Sequence, residues 1–371
     1  MSKGSSLTQR YLFLDFIKVI AIYVVCFYHC HNYNGNILDY PSASTYITFF
    51  IKGIACIGVP LFFMVNGALM FHKEYSLKEH IKKTIKVVIL IFVWAVITLL
   101  ALMAIKGTAY TVPEFFRAIK TWEIGTINHM WFLHTLVCLY ILFPILKAIY
   151  DRKDKTLLRY LLVVVFIFTF GNVLINMGAN ILKCISGGNY LEGFNHNFFN
   201  AFQFLEGFYA YAIVYFILGA VLLSKLLDSK KILLKAMTGI FVAGFVGLFL
   251  YGVMMSRYNG YLFDTVWEGY DTLMALAMCV AVFVISFALR NQLIRFKGII
   301  TAIGQNTLGI FFVHRIVWAI IKPFFVRFDI STNIIVNLLF AVVILLISFG
   351  IVWALKKIPG VNWLFNFSLK V

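Results

Sequence analysis

The first apolar run of the sequence, Tyr11 to about His31, contains three side chains that are costly in hydrocarbon: Asp15, Lys18 and His29. An ionisable group inside a membrane is rare, and it marks a functional site unless something else explains it. Asp15 and Lys18 are three residues apart, so on a helix they share a face and form an ion pair. His29 follows Lys18 by eleven residues, about three turns, which returns it to nearly the same face about 16 Å further along the axis. One helix would thus present a cation at one end of a polar path and an imidazole at the other. In the bland alternative, Lys18 and Asp15 snorkel to the interface and His29 ends the helix.

Further groups accompany this row. Asn66 and Gly67 end a second apolar run that contains Pro60; small-residue packing accounts for Gly67, but the Asn66 amide needs a hydrogen-bond partner. Lys82, Lys83 and Lys86 precede the third run. Such a cluster ordinarily marks the cytoplasmic side and contacts lipid headgroups, and it also suits a phosphate-bearing ligand. A fourth run opens with His129, Trp131 and His134. Trp131 fits an aromatic belt; two histidines exceed what a belt requires, and their spacing of five does not set both on one face. In a ninth run, His314 and Arg315 follow Gly304-Gln305-Asn306-Thr307-Leu308-Gly309. A buried arginine needs a partner or a wet cavity.

These residues must be held by helices in a bilayer. The chain of 371 residues is 62% hydrophobic and 13% charged, whereas soluble domains are about 45–50% apolar and about 25% charged. Ten apolar runs begin near Tyr11, Ile47, Ile85, Asn128, Leu157, Phe208, Leu233, Asp271, Ile299 and Asn333, each near the length needed to span a membrane. The expected fold is all-α, a polytopic bundle of about ten transmembrane helices, in one domain over residues 1–371 with no appended soluble domain. The first run is too long for a signal-peptide core and lacks a small-residue cleavage site. Residues 176–204, rich in Gly, Asn and aromatics, are expected as the longest connection, a lid or re-entrant element.

Loops on one side hold 22 Lys and Arg, against seven on the other. By the positive-inside rule both termini are cytoplasmic, in a multi-pass cell (plasma or inner) membrane protein. That asymmetry accounts for the net charge of +17, and with no recognition module beside it, nucleic acid is not a partner. The six cysteines are scattered without a CxxC pair, so no metal site and no disulfide framework is indicated.

Five segments, in order, resemble the acyltransferase-3 family of membrane acyltransferases. Leu14-Asp15-Phe16-Ile17-Lys18 leading to His29 resembles its first helix; Pro60-Leu61-Phe62-Phe63-Met64-Val65-Asn66-Gly67, its second; and Lys82-Lys83-Thr84-Ile85-Lys86, its basic stretch. His129-Met130-Trp131-Phe132-Leu133 and the segment from Gly304 to His314 complete the series. The departures are Lys18 for the usual Arg, Lys83-x-x-Lys86 for Arg-x-x-Arg, and Asn66 for Ser. Lysine binds phosphate as a point charge rather than bidentately. The resemblance implies acyl transfer, acetyl foremost, from cytoplasmic acyl-CoA as co-substrate to a hydroxyl of an extracytoplasmic glycan or lipid-linked sugar, with no tightly bound cofactor. It implies His29, Lys18 and Asp15 at the catalytic centre, and Lys82, Lys83, Lys86 and Asn66 towards acyl-CoA. His129, Trp131, His314 and Arg315 would lie towards the acceptor. A flippase for a lipid-linked sugar and a non-catalytic membrane sensor are the rival readings. The flippase lacks a repeat, an ATPase motif and an ion-coupling carboxylate, since only Asp15 lies well inside a span while Glu206 and Asp271 sit near span ends. Membrane lipids are partners in any reading, and a homo-oligomer is left open.

Overall fold

The computed structural model describes residues 10–121, 127–187, 209–228 and 233–365. It is a helical bundle, as a bilayer demands, because a helix satisfies its backbone hydrogen bonds internally. Helices α1 (Leu12–His29), α2 (Ala43–Lys52) and α3 (Gly58–Phe71) are followed by α4 (Leu77–Lys106) and the short α5 (Val112–Thr121). Next come α6 (Trp131–Tyr150), α7 (Thr156–Phe166), α8 (Asn172–Ile185), α9 (Tyr211–Asp228) and α10 (Leu234–Asn259). The chain closes with α11 (Leu273–Ala288), α12 (Lys297–Gly304), α13 (Thr307–Phe325) and α14 (Ile334–Leu355). Among the described residues nine helical stretches are long and apolar enough to span, three of them composite: Ala43–Phe71, Asn128–Tyr150 and Thr156–Ile185. A tenth arises if Leu273–Ala288 and Gln292–Gly304, bent by 85°, are counted as one.

Three boundaries differ from the sequence reading. α4 starts at Leu77, not near Ile85, so the lysine cluster lies on the helix itself; lysine stems can coat a helix end while their ammonium groups reach water. The run expected from Ile299 is divided between α12 and α13, with the chain turning at Gln305 and Asn306. Helix continues to Ile185, so the expected connection over 176–204 is helical in its first ten residues. Its remainder from Gly188 lies outside the described residues, as does Glu206.

α1 is the axis of the bundle and packs against α3, α11, α12, α13 and α14. In lipid such contacts are held by close van der Waals packing rather than by water exclusion. The tightest crossing is α3 on α9, where Gly67 and Gly219 face backbone directly. A Cβ at Gly67 would overlap the Phe216 carbonyl, and one at Gly219 the Met64 carbonyl. Pro60 sits in the first turn of α3, where its missing N–H costs no helical bond. A 3₁₀ segment, Gly53–Ile57, joins α2 to α3 ahead of it.

Candidate active site: two chambers along the first helix

Asp15 is buried and takes two cations: Arg10 Nε on Oδ2 at 2.6 Å and Lys18 Nζ on Oδ1 at 2.6 Å. Gly304, ending α12, lies against it so closely that a Cβ there would stand 2.8 Å from Asp15 Cβ. The turn after Gly304 brings Gln305 beside the Arg10 guanidinium and Asn306 Oδ1 to 2.6 Å from Lys356 Nζ. The late glycine motif therefore positions the acid–base pair of the first helix.

Around Lys18 opens a chamber of about 280 Å³, lined by Lys83, Lys356, Asn66, Tyr140 and Gln305 on a largely apolar wall. Tyr140 organises it, donating its hydroxyl to Asn66 Oδ1 at 3.2 Å and holding the Lys83 ammonium 4.8 Å from its ring centre. Asn66 donates in turn to the Phe62 carbonyl at 2.9 Å. Lys73, in the loop after α3, is near enough that partial burial, with repulsion from Lys83 and Lys18, lowers its proton affinity. Three lysines facing one cavity without an equal number of carboxylates form an anion site, suited to phosphates as point charges.

At the other end of α1 the structure gathers three histidines from three elements. His29 ends α1, His129 lies in the 3₁₀ turn Asn128–Met130, and His314 belongs to α13. Their ring centres are 6.1 Å apart for His29–His129 and 5.6 Å for both His29–His314 and His129–His314. His314 donates from Nδ1 to the Phe311 carbonyl at 2.6 Å, which fixes its tautomer and leaves Nε2 as the ring's unprotonated acceptor nitrogen. Among the described residues no group of His, Cys, Asp and Glu is arranged to hold a metal ion. Arg315 donates to the His29 carbonyl at 3.1 Å, a cation at a helix C-terminus. His29, His129, Trp131 and Arg315 line a second chamber of about 620 Å³, with Tyr28 and Asp264.

Asp264 fixes that wall, pairing with Lys52 at 3.2 Å and accepting from the Tyr28 hydroxyl at 2.8 Å. Burial works to raise its pKa, but Lys52, Tyr28 and the Val266 N–H outweigh it and hold the carboxyl below its ordinary range. Phe311 lines both chambers, with its ring 5.5 Å from His129 and 5.8 Å from His314.

The structure thus brings Lys18, Asn66 and Lys83 together at one end, with Asp15 behind them. It brings His29, His129, Trp131 and Arg315 together at the other, with His314 behind. Lys82, half exposed and paired with Glu79 at 2.8 Å, does not line the first chamber, nor does Lys86. His134 lines neither chamber. Sequence reasoning missed Lys356, Tyr140, Lys73 and Asp264. Lys356 carried only the signal of a basic pair after the last span, and Asp264 none beyond being a carboxylate between two apolar runs.

Two chambers that share Phe311 lie along the first helix inside the helical bundle, one lined by lysines on a largely apolar wall and one lined by histidines. A family model described as an acyltransferase domain matches residues 11–356. The chain belongs to the acyltransferase-3 family and is a membrane acyltransferase. Comparison with curated proteins returned no match, and neither did comparison with solved structures.

Proposed function

We propose that the protein moves an acyl group, acetyl foremost, from acyl-CoA held at the lysine chamber to a glycan hydroxyl held at the histidine chamber. The observation that carries this reading is the placement of both chambers along α1 with Phe311 common to them. Lys18, Lys83 and Lys356 receive the donor phosphates. The thioester arm extends past Phe311 towards the histidines, over the roughly 16 Å that eleven helical residues span. The charge asymmetry of the loops makes the lysine end cytoplasmic, where acyl-CoA is found, and the histidine end extracytoplasmic.

A sugar hydroxyl attacks poorly at neutral pH and needs a base. His29 lines the chamber and takes the hydroxyl proton as the oxygen adds to the thioester carbonyl. The carbon–sulfur bond then breaks, and CoA leaves as thiol with a proton returned by the imidazole. Arg315, beside the His29 carbonyl, and His129 supply positive charge and N–H donors for the developing oxyanion. Asp15 acts through Lys18, holding its ammonium in place, and His314 buttresses the ring cluster. The test is CoA release from acetyl-CoA by purified protein in lipid nanodiscs, with and without a glycan acceptor. Acceptor-dependent release that His29→Ala abolishes, at normal expression, supports the mechanism; near-normal turnover in that variant removes His29 from the chemistry.

A further inference from the structure

A third cavity, of about 730 Å³, adjoins the histidine chamber, and Tyr209, Trp267 and Tyr270 line both. These rings and Trp131 form an aromatic partition: Trp131 lies 4.7 Å from Tyr209, 5.0 Å from Trp267 and 5.6 Å from Tyr270. Beyond it the walls change character. Tyr261, Glu268 and Asp271 come from the loop after α10, and Asn176 and Asn180 from α8. Asn180 donates to the Tyr251 hydroxyl at 3.2 Å, so the wall is organised rather than a chance gap. Two carboxylates and no Lys or Arg line this cavity among the described residues.

An aromatic belt would explain rings that meet lipid, but it does not explain rings facing a cavity shared with carboxylates and amides. Tyr209 is 40% exposed, Trp267 44% and Tyr261 60%, so part of each ring is accessible to a ligand. Flat apolar faces beside hydrogen-bond acceptors suit a pyranose, whose C–H face packs on a ring while its hydroxyls donate to carboxylates. The carboxylates also repel an anionic sugar.

We infer that this cavity is a subsite for an uncharged glycan: it holds a sugar unit next to the one acylated, and the aromatic partition divides the two units. The assignment rests on the acyl-transfer reading above and narrows its acceptor to neutral saccharides. Binding without turnover isolates it. Saturation-transfer NMR on the full-length protein in nanodiscs, with maltotriose and chitotriose as neutral probes and sialyllactose as an anionic probe of similar size, reads sugar contact directly. At least one neutral trisaccharide is expected to give saturation transfer, including in His29→Ala, while sialyllactose gives none. Tyr261→Ala and Glu268→Gln, on a loop away from the histidines, are each expected to weaken binding about tenfold. Tyr261→Phe keeps the ring and is expected to stay within about twofold, which separates stacking from a folding defect. The inference is overturned if no neutral trisaccharide binds, if sialyllactose binds as well as the neutral probes, or if both Tyr261→Ala and Glu268→Gln bind like the parent. CoA release on the same preparations reports the chemistry independently. Sugar contact without release keeps the subsite and discards the transfer, and release without sugar contact does the reverse.

Discussion

Lys83→Met tests the division of labour within the basic cluster. Lys83 lines the lysine chamber, and its neighbour Lys82 is half exposed and paired with Glu79. A hydrogen bond to a charged group contributes about 1.5–3 kcal/mol. The chamber is open to solvent, so the lower half of that range applies, about 1.5–2 kcal/mol. At 1.4 kcal/mol per tenfold, the variant should raise KM for acetyl-CoA about 10- to 30-fold with little change in kcat. Thermal stability should fall by no more than about 1 kcal/mol, the worth of the lost contact with the Tyr140 ring. Lys82→Met should change KM less than about twofold, because exposed pairs contribute little. KM is read from CoA release in nanodiscs at two salt concentrations. The difference between parent and Lys83→Met should shrink at high salt, since screening weakens the parent's advantage. Equal effects at Lys82 and Lys83, or a fall in kcat at unchanged KM in Lys83→Met, would refute the assignment of the phosphates to this chamber.

His29→Ala should lower kcat by roughly 10²- to 10⁴-fold, the usual contribution of a positioned base; His314→Ala, acting through its neighbours, should lower it less, and single-turnover measurements rank the two. Gly67→Ala should abolish the folded, monodisperse peak in detergent size exclusion, because its methyl would occupy the Phe216 carbonyl; a normal elution profile would contradict the α3–α9 crossing. Burial, with the Glu268 charge, raises the Asp271 pKa from 3.8 to about 6, and Tyr211 and Tyr215 are the titratable groups facing it from α9. Below about pH 6 the group is neutral, and above it a carboxylate accepts sugar hydroxyls. Acceptor KM should therefore fall as pH rises through about 6, and Asp271→Asn should flatten that step in a pH series. The same raised pKa makes its stabilising contribution full below about pH 4 and lost as pH rises through about 6, which thermal melts across that range would detect.

What the sequence revealed of this site follows how far each relation reaches along the chain. Asp15, Lys18 and His29 were legible together because helical periodicity is a property of eleven consecutive residues. The need of Asn66 for a partner was legible too, but its identity was not, since Tyr140 stands 74 residues away and only the α3–α6 packing joins them. Lys356 reaches the first chamber because α14 returns beside α1, a matter of topology that no local pattern carries. The start of α4 was hidden by its own lysines, which lower the hydropathy of a stretch that is helical. The break after α12 reflects a tertiary demand: Gly304 must press against Asp15, so the chain turns where a run of apolar residues alone predicts continuity. Asn176 and Asn180 resembled loop residues because they are polar, yet they lie on helix α8 and face a cavity.

Phe311 carries a consequence for the cell rather than for the reaction. A bundle with water-accessible chambers at both ends is two halves of an ion channel, and a conducting path between them would dissipate the membrane potential. The Phe311 ring is packed 5.5 Å from Phe132, which lies 5.7 Å from Phe62, so apolar rings stand where the chambers approach, and a hydrophobic constriction excludes ions by dewetting. An acyl chain is itself apolar and can pass such a barrier, whereas a hydrated ion or proton cannot. On the proposed transfer, the ring that keeps the two chambers electrically apart also lines the path taken by the thioester arm and its acyl group.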